Sequence, residues 1–232
     1  MKLALLGDIH GNHLALAAVL SAAQKNGVDK LLITGDIVGY YFWPGKVLEL
    51  LTTWEKVVVR GNHEEMLAGA RASPDYLNHV DRKYGTGLRV ALNTLSIEQL
   101  DWLERLPHPR KVQIDGCSIL LCHGSPWDLD QYIYPDAEEA LLEKCSADEH
   151  NWVVLGHTHY PMQHVRGNTT IVNPGSVGQP RNRKPGAHWA LLDTATQIVS
   201  FRVESYDAGP VIKAARNLQP DIPYLANVLS RK

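Results

Sequence analysis

The chain has 232 residues with 23 basic and 25 acidic side chains, a net charge of -2. That length suits a single α/β domain with a large buried core, and the charge excludes any overall electrostatic drive toward nucleic acid or anionic membrane. Three cysteines without CxxC spacing, Cys117, Cys122 and Cys145, disfavour both a disulfide framework and a structural zinc site and fit a reducing compartment.

In chain order, the first segment, "MKLALLGDIHGN", holds only four consecutive apolar residues, Leu3 to Leu6, before Gly7. That is too few for a signal-peptide core or a membrane span, so the reading is a cytoplasmic protein without membrane association. Short apolar runs then recur at Lys2, Lys30, Lys56, Ser118 and Trp152, each stopping at small or polar residues, and they read as buried strands. Between the first three lie helical patterns: Leu16, Val19, Leu20 and Ala23 after an Asn12 N-cap, then Val47, Leu50, Leu51 and Trp54 after Pro44. Such alternation means βαβ units and a parallel sheet.

From Glu64 to about residue 106 the pattern is a helical cover, with "SIEQ" at Ser96 to Gln99 matching a capping box. After Lys111, Asp115-Gly116 and Gly167-Asn168 are hairpin signals, and "HWALLDTATQIVSFRVESY" reads as two strands about a turn. A second, more antiparallel sheet is therefore expected, followed by a helical tail over about 210–232. The expected fold is a four-layer αββα sandwich, two mixed β-sheets flanked by helices, over one domain spanning 1–232.

Each of the five strand runs ends in residues that bind metal: Asp8 with His10, Asp36, Asn62, His123, and His157 with His159. Ligand crevices of α/β sheets lie beyond the carboxyl ends of strands, so residues far apart in sequence converge there. The mixture of carboxylate, amide oxygen and imidazole suits Mn²⁺, Fe²⁺, Zn²⁺ or Ni²⁺. Seven such side chains exceed the needs of one ion, whereas two ions roughly 3.5 to 4 Å apart, sharing a carboxylate, would use them all.

The segments "GDIHGN", "GD", "RGNHE", "HG" and "GHTH", in this order, resemble the calcineurin-like metallophosphoesterase superfamily, whose pattern is D-x-H, G-D, G-N-H-[DE], H and G-H-x-H. "NPGSVGQPR" at Asn173 to Arg181 extends the likeness toward its small bacterial and archaeal phosphoesterase branch. The resemblance implies Asp8, His10, Asp36 and His159 on one ion and Asp36, Asn62, His123 and His157 on the other, with Asp36 bridging. A metal-bridging hydroxide would then attack a small phosphodiester or nucleotide, with two divalent ions as cofactors and Mn²⁺ preferred. His63 is the candidate to contact the phosphate or protonate the leaving oxygen, so His63, Asp36 and Asn62 form the expected catalytic set. Arg60 and Arg181 are candidates to clamp phosphate oxygens.

Protein serine/threonine phosphatases of the superfamily read G-D-x-V-D-R-G, where the second Asp orients the catalytic His. Here Gly39 and Tyr40 stand at the positions of that Asp and the following Arg, which disfavours that activity. Cys122 precedes His123 in a strand and should face the other way, into packing. His13, His79, His108, His150, His164 and His188 read as surface or locally hydrogen-bonded groups. The aromatic stretches Tyr40 to Pro44 and Pro126 to Pro135 follow ligand-bearing strands, where they either wall the cleft or pack as ordinary loops. A dinucleoside polyphosphate hydrolase is the alternative enzyme, and a noncatalytic protein-binding scaffold the alternative of another class. The expected partner is a small phosphorylated molecule, with no stable nucleic-acid complex and an oligomer left open.

Overall fold

The computed structural model describes residues 1–147 and 150–231. Its central strands are buried on both faces, which is what their unbroken apolar runs encode. In β1 (Lys2–Leu6), Ala4 and Leu6 pack with the helices on one side, while Leu3 and Leu5 join the layer between the two sheets. The same alternation separates Ile119 and Leu121 from Leu120 in β5 (Cys117–Leu121), and Trp152 and Val154 from Val153 in β6 (Trp152–Val154). Period-two alternation thus stacks two five-stranded sheets face to face with helices outside.

The first sheet grows from β1, β2 (Lys30–Ile33) and β3 (Lys56–Val58), all parallel. Crossovers are α1 (His13–Lys25), whose start is fixed by Asn12 Oδ1 accepting from the Ala15 N–H at 3.2 Å, and α2 (Pro44–Thr52), opened by proline. The helical cover comprises α3 (Asn62–Ala72), α4 (Pro74–Tyr84), α5 (Gly87–Thr94) and α6 (Ile97–Glu104). At α6 the reciprocal cap forms as the sequence predicts: the Gln99 N–H donates to Ser96 Oγ, and the Ser96 N–H to Gln99 Oε1.

The second sheet has the order β4 (Arg110–Ile114), β5, β6, β8 (Thr169–Asn173), β7 (Met162–Arg166). Both predicted hairpin turns form, at Asp115-Gly116 and Gly167-Asn168, but β5, β6 and β8 run parallel between them, so this sheet is mixed. Its outer face is covered by α7 (Glu139–Cys145), where Leu142 and Cys145 meet Cys122, Leu120 and Val153.

One expectation needs correction. The hairpin of β9 (Ala187–Asp193) and β10 (Ile198–Glu204) does not belong to the second sheet; β9 pairs antiparallel with β1 from Lys2↔Asp193 to Leu5↔Ala190 and extends the first sheet to the order β10-β9-β1-β2-β3. The free edge of β1 takes it, and Ala190 and Leu192 then complete the layer between the sheets. After β10, α8 (Gly209–Leu218) and α9 (Tyr224–Asn227) pack on Tyr40, Tyr41 and Phe42, with the Tyr41 hydroxyl donating to Leu225 O at 3.0 Å. Among the described residues no helix is long and apolar enough to cross a membrane.

Candidate metal centre

All five ligand-bearing strands end on the same side of the sandwich, and their following loops bend back over the strand ends. The bend is written in the backbone: Asp8, His10, Asp36, Tyr40, His157 and His159 all have φ between 48° and 67°. Left-handed conformations outside glycine cost free energy and persist where surrounding structure over-determines them, often at functional sites. Residues two apart in a continuing strand would face the same side, which would bring His157 and His159 together by pleat alone. In fact β6 ends at Val154, and left-handed turns at both residues aim the rings instead. Thr158 between them is drawn away, its hydroxyl accepting from Asn173 Nδ2 at 3.1 Å.

Asp8, His10, Asp36 and His159 bring one donor atom each within 4.8 Å of one another, all buried. Beside them, Asn62 Oδ1 lies 2.9 Å from His123 Nε2 and 3.1 Å from His157 Nδ1, and those two nitrogens are 3.1 Å apart. Asp36 joins the groups: Oδ2 is 3.5 Å from His10 Nε2, and Oδ1 is 3.5 Å from His123 Nε2.

The outer ring nitrogens determine what these contacts are. His10 Nδ1 faces Val38 O, His123 Nδ1 faces Thr34 O, His159 Nδ1 faces Gln179 O and His157 Nε2 faces Asp130 O, at 2.6 to 3.1 Å. A carbonyl only accepts, so each of these nitrogens carries the proton and each inner nitrogen is a lone pair. His10 Nε2 and His159 Nε2 therefore meet lone pair to lone pair at 3.1 Å, and His123, His157 and the Asn62 oxygen do the same. Converging acceptors without a donor repel one another, and a cation removes the repulsion; the donor set fits divalent metal.

Electrostatics point the same way. Burial pushes the Asp8 carboxyl up to about 8 and the Asp36 carboxyl well above its ordinary value, while His10, His123 and His159 are pushed well below theirs. Desolvation is the main cause in every case, and cations between these groups would restore the carboxylates.

The remaining candidates separate. His63 and Arg181 line the same recess as Asp36, Asn62, His157 and His159, together with Tyr40, Tyr84 and Tyr132. The recess holds about 20 Å³, room for roughly one water. Arg181 is largely buried, yet among the described residues its guanidinium hydrogen-bonds only to neutral oxygens, Tyr40 Oη at 3.1 Å and Gln179 Oε1 at 3.3 Å. Arg60 lies outside the recess, with its guanidinium 3.7 Å from Glu65.

Two residues of the site escaped sequence reasoning. Tyr84, at the end of α4, reaches the recess only through the fold of the helical cover. Glu64 is fully buried, and its carboxylate accepts from the N–H groups of Asp36, Ile37, Val38 and Gly61 at 2.8 to 3.3 Å, tying β2's end to α3. Its signal was the acidic position of the G-N-H-[DE] pattern, which carried no assigned role.

The family model for the calcineurin-like phosphoesterase superfamily domain matches residues 1–197. The chain is similar to a metallophosphoesterase of Sphaerobacter thermophilus (31% identity, TM-score 0.79, covering 100% of this chain and 98% of that one). Another solved structure, hypothetical protein PH1004 of Pyrococcus horikoshii OT3, superposes at TM-score 0.86 with 26% identity over 99% and 98% of the two chains. By sequence, phosphodiesterase YfcE of Escherichia coli K12 is 24% identical over 88% of this chain and 95% of its own.

Proposed function

The chain belongs to the calcineurin-like phosphoesterase superfamily, and from that premise we propose that it is a metal-dependent phosphodiesterase hydrolysing a small phosphodiester or nucleotide. The observation that carries the reading is the meeting of lone pairs in two adjoining groups around Asp36. Asp8, His10, Asp36 and His159 would hold one divalent ion, and Asp36, Asn62, His123 and His157 the other. Mn²⁺ is our preferred ion. Bound there, the two ions would supply a water acidic enough to attack phosphorus near neutral pH. The similarity to a phosphodiesterase of E. coli supports the choice of a diester.

Around that centre the chain's own residues position the substrate. Arg181, short of an anionic partner, would hold a phosphate oxygen. Burial, helped by the nearby Arg181 charge, lowers His63 to about 3, so its ring is neutral at pH 7. Its Nδ1 is buried against Gly39 without a hydrogen-bond partner among the described residues. Lying in the recess beside Arg181, His63 would contact a phosphate oxygen.

The test is hydrolysis of bis-p-nitrophenyl phosphate by purified protein after chelation and after Mn²⁺ is restored. Chelation should abolish turnover and Mn²⁺ should return it. Asp36→Asn should lower kcat by more than about a hundredfold, beyond what losing an outer metal partner costs. Full activity in metal-free protein would refute the reading.

A further inference from the structure

The recess over the ligands is too small for a whole substrate, so most of the molecule must lie in the cavities beside it. Two adjoin it, and they differ in charge. One, of about 350 Å³, shares Asn62 and Tyr84 with the recess and mixes Lys83 and His79 with Glu65 and Asp130. The other, of about 460 Å³, shares Arg181 and is lined by Arg181, Arg183 and Lys184 with Tyr160, Pro161 and Asn182, and by no carboxylate among the described residues.

We propose that Arg183 and Lys184, with Arg181 as the shared wall, form a subsite for a second phosphate group of the substrate. This rests on the reading of the metal centre as the place where the first phosphoryl group is held. Three observations carry it. Neither Arg183 nor Lys184 pairs with a carboxylate among the described residues. Arg183 has φ 60°, a left-handed conformation that an arginine adopts only at a cost, and the residue stands between two other members of the cavity wall. Finally, the carboxylates line the other cavity, so an elongated anion is favoured with its extra charge beside Arg183 and Lys184.

A ladder of rings suits the same cavity to a nucleotide. Tyr132 lies over the His157 ring at a centroid distance of 4.0 Å, Tyr134 stacks on Tyr132 at 5.7 Å, and Tyr160 meets Tyr134 edge-on at 5.8 Å. Tyr160 is itself part of the cavity wall. A base resting on the exposed rings of Tyr132 and Tyr134 would leave its phosphates beside the cations.

The experiment compares binding of ADP and AMP to the Mn²⁺-loaded protein, with Mn²⁺ in excess, by calorimetry. Wild-type protein should bind ADP about tenfold more tightly than AMP, the yield of one charge-assisted contact. Arg183→Ala with Lys184→Ala should remove that preference. Should this variant fold poorly in a thermal melt, the exchange Arg183→Lys with Lys184→Arg, which keeps both charges, should retain the preference. Equal affinity of the wild-type protein for ADP and AMP, or a preference that survives loss of both charges, overturns the subsite. Failure to hydrolyse bis-p-nitrophenyl phosphate overturns the catalytic reading instead and leaves the ADP and AMP comparison standing.

Discussion

At the scale of single residues, the two histidines after β6 stand side by side and face different donor groups. His157 offers Nδ1 to the group of Asn62 and His123, and His159 offers Nε2 to that of His10 and Asp8. Pairs of substitutions should reveal this. Adding Asn62→Ala to His157→Ala should cost little further metal, whereas adding His10→Ala should empty the second position too, with stoichiometry read by elemental analysis of the dialysed proteins. Equal further loss in both pairs would contradict two distinct ion positions. The converging donor side chains were legible in sequence because they fall at strand ends with fixed local neighbours. Tyr84 was not, because no local pattern tells which of several helical tyrosines reaches the recess. Nor was the difference between Arg60 and Arg181: both flank motif residues, and only the fold sends one into the recess and the other toward Glu65.

Elements hold this arrangement through close backbone contacts. The segment after β8 lies against the loop after β1: Ser176 Oγ donates to Asp8 O at 2.7 Å, and the Gly178 N–H donates to the same oxygen at 3.0 Å. A Cβ at Gly178 would overlap the Ile9 carbonyl, which is backbone and cannot rotate away. Gly178→Ala should therefore destabilise by about 1–3 kcal/mol in urea unfolding and weaken metal retention with it. An unchanged midpoint and unchanged metal content would show that the two loops have slack. Strands and helices themselves were largely legible, since periodicity, the Asn12 cap and the Ser96 capping box are local signals. The destination of the β9–β10 hairpin was not. Its sequence specifies that the two strands pair with each other, while the sheet they join depends on which edge elsewhere in the chain is vacant.

Over the whole molecule, acid should reveal how much burial the fold imposes on titratable groups. His108, in the loop before β4, is partly buried, and desolvation with the charge of Arg60 lowers its pKa to about 4, against a partial counter-effect of Asp128. Between that value and the ordinary 6.5, the unfolded chain binds the proton and the folded chain does not. Stability contributed by the neutral ring is thus complete above pH 6.5 and is lost as pH falls toward 4. Melting temperature should drop across that interval, and His108→Asn should flatten the drop; parallel curves would exclude the residue. Other buried histidines titrate in the same direction, so the difference between the two curves isolates this one.

The four carbonyls behind the imidazoles, those of Thr34, Val38, Asp130 and Gln179, have a consequence for how such a molecule can change over evolution. Every residue type carries a main-chain oxygen, so no point substitution at those four positions deletes the acceptor that sets a ring's tautomer. The chemistry of the centre is inherited with the path of the backbone. Arg183, Lys184 and the tyrosines present side chains to the neighbouring cavity and its rim, so under the subsite proposal a single substitution there would change which molecule fits while the four carbonyls beneath stay as they are.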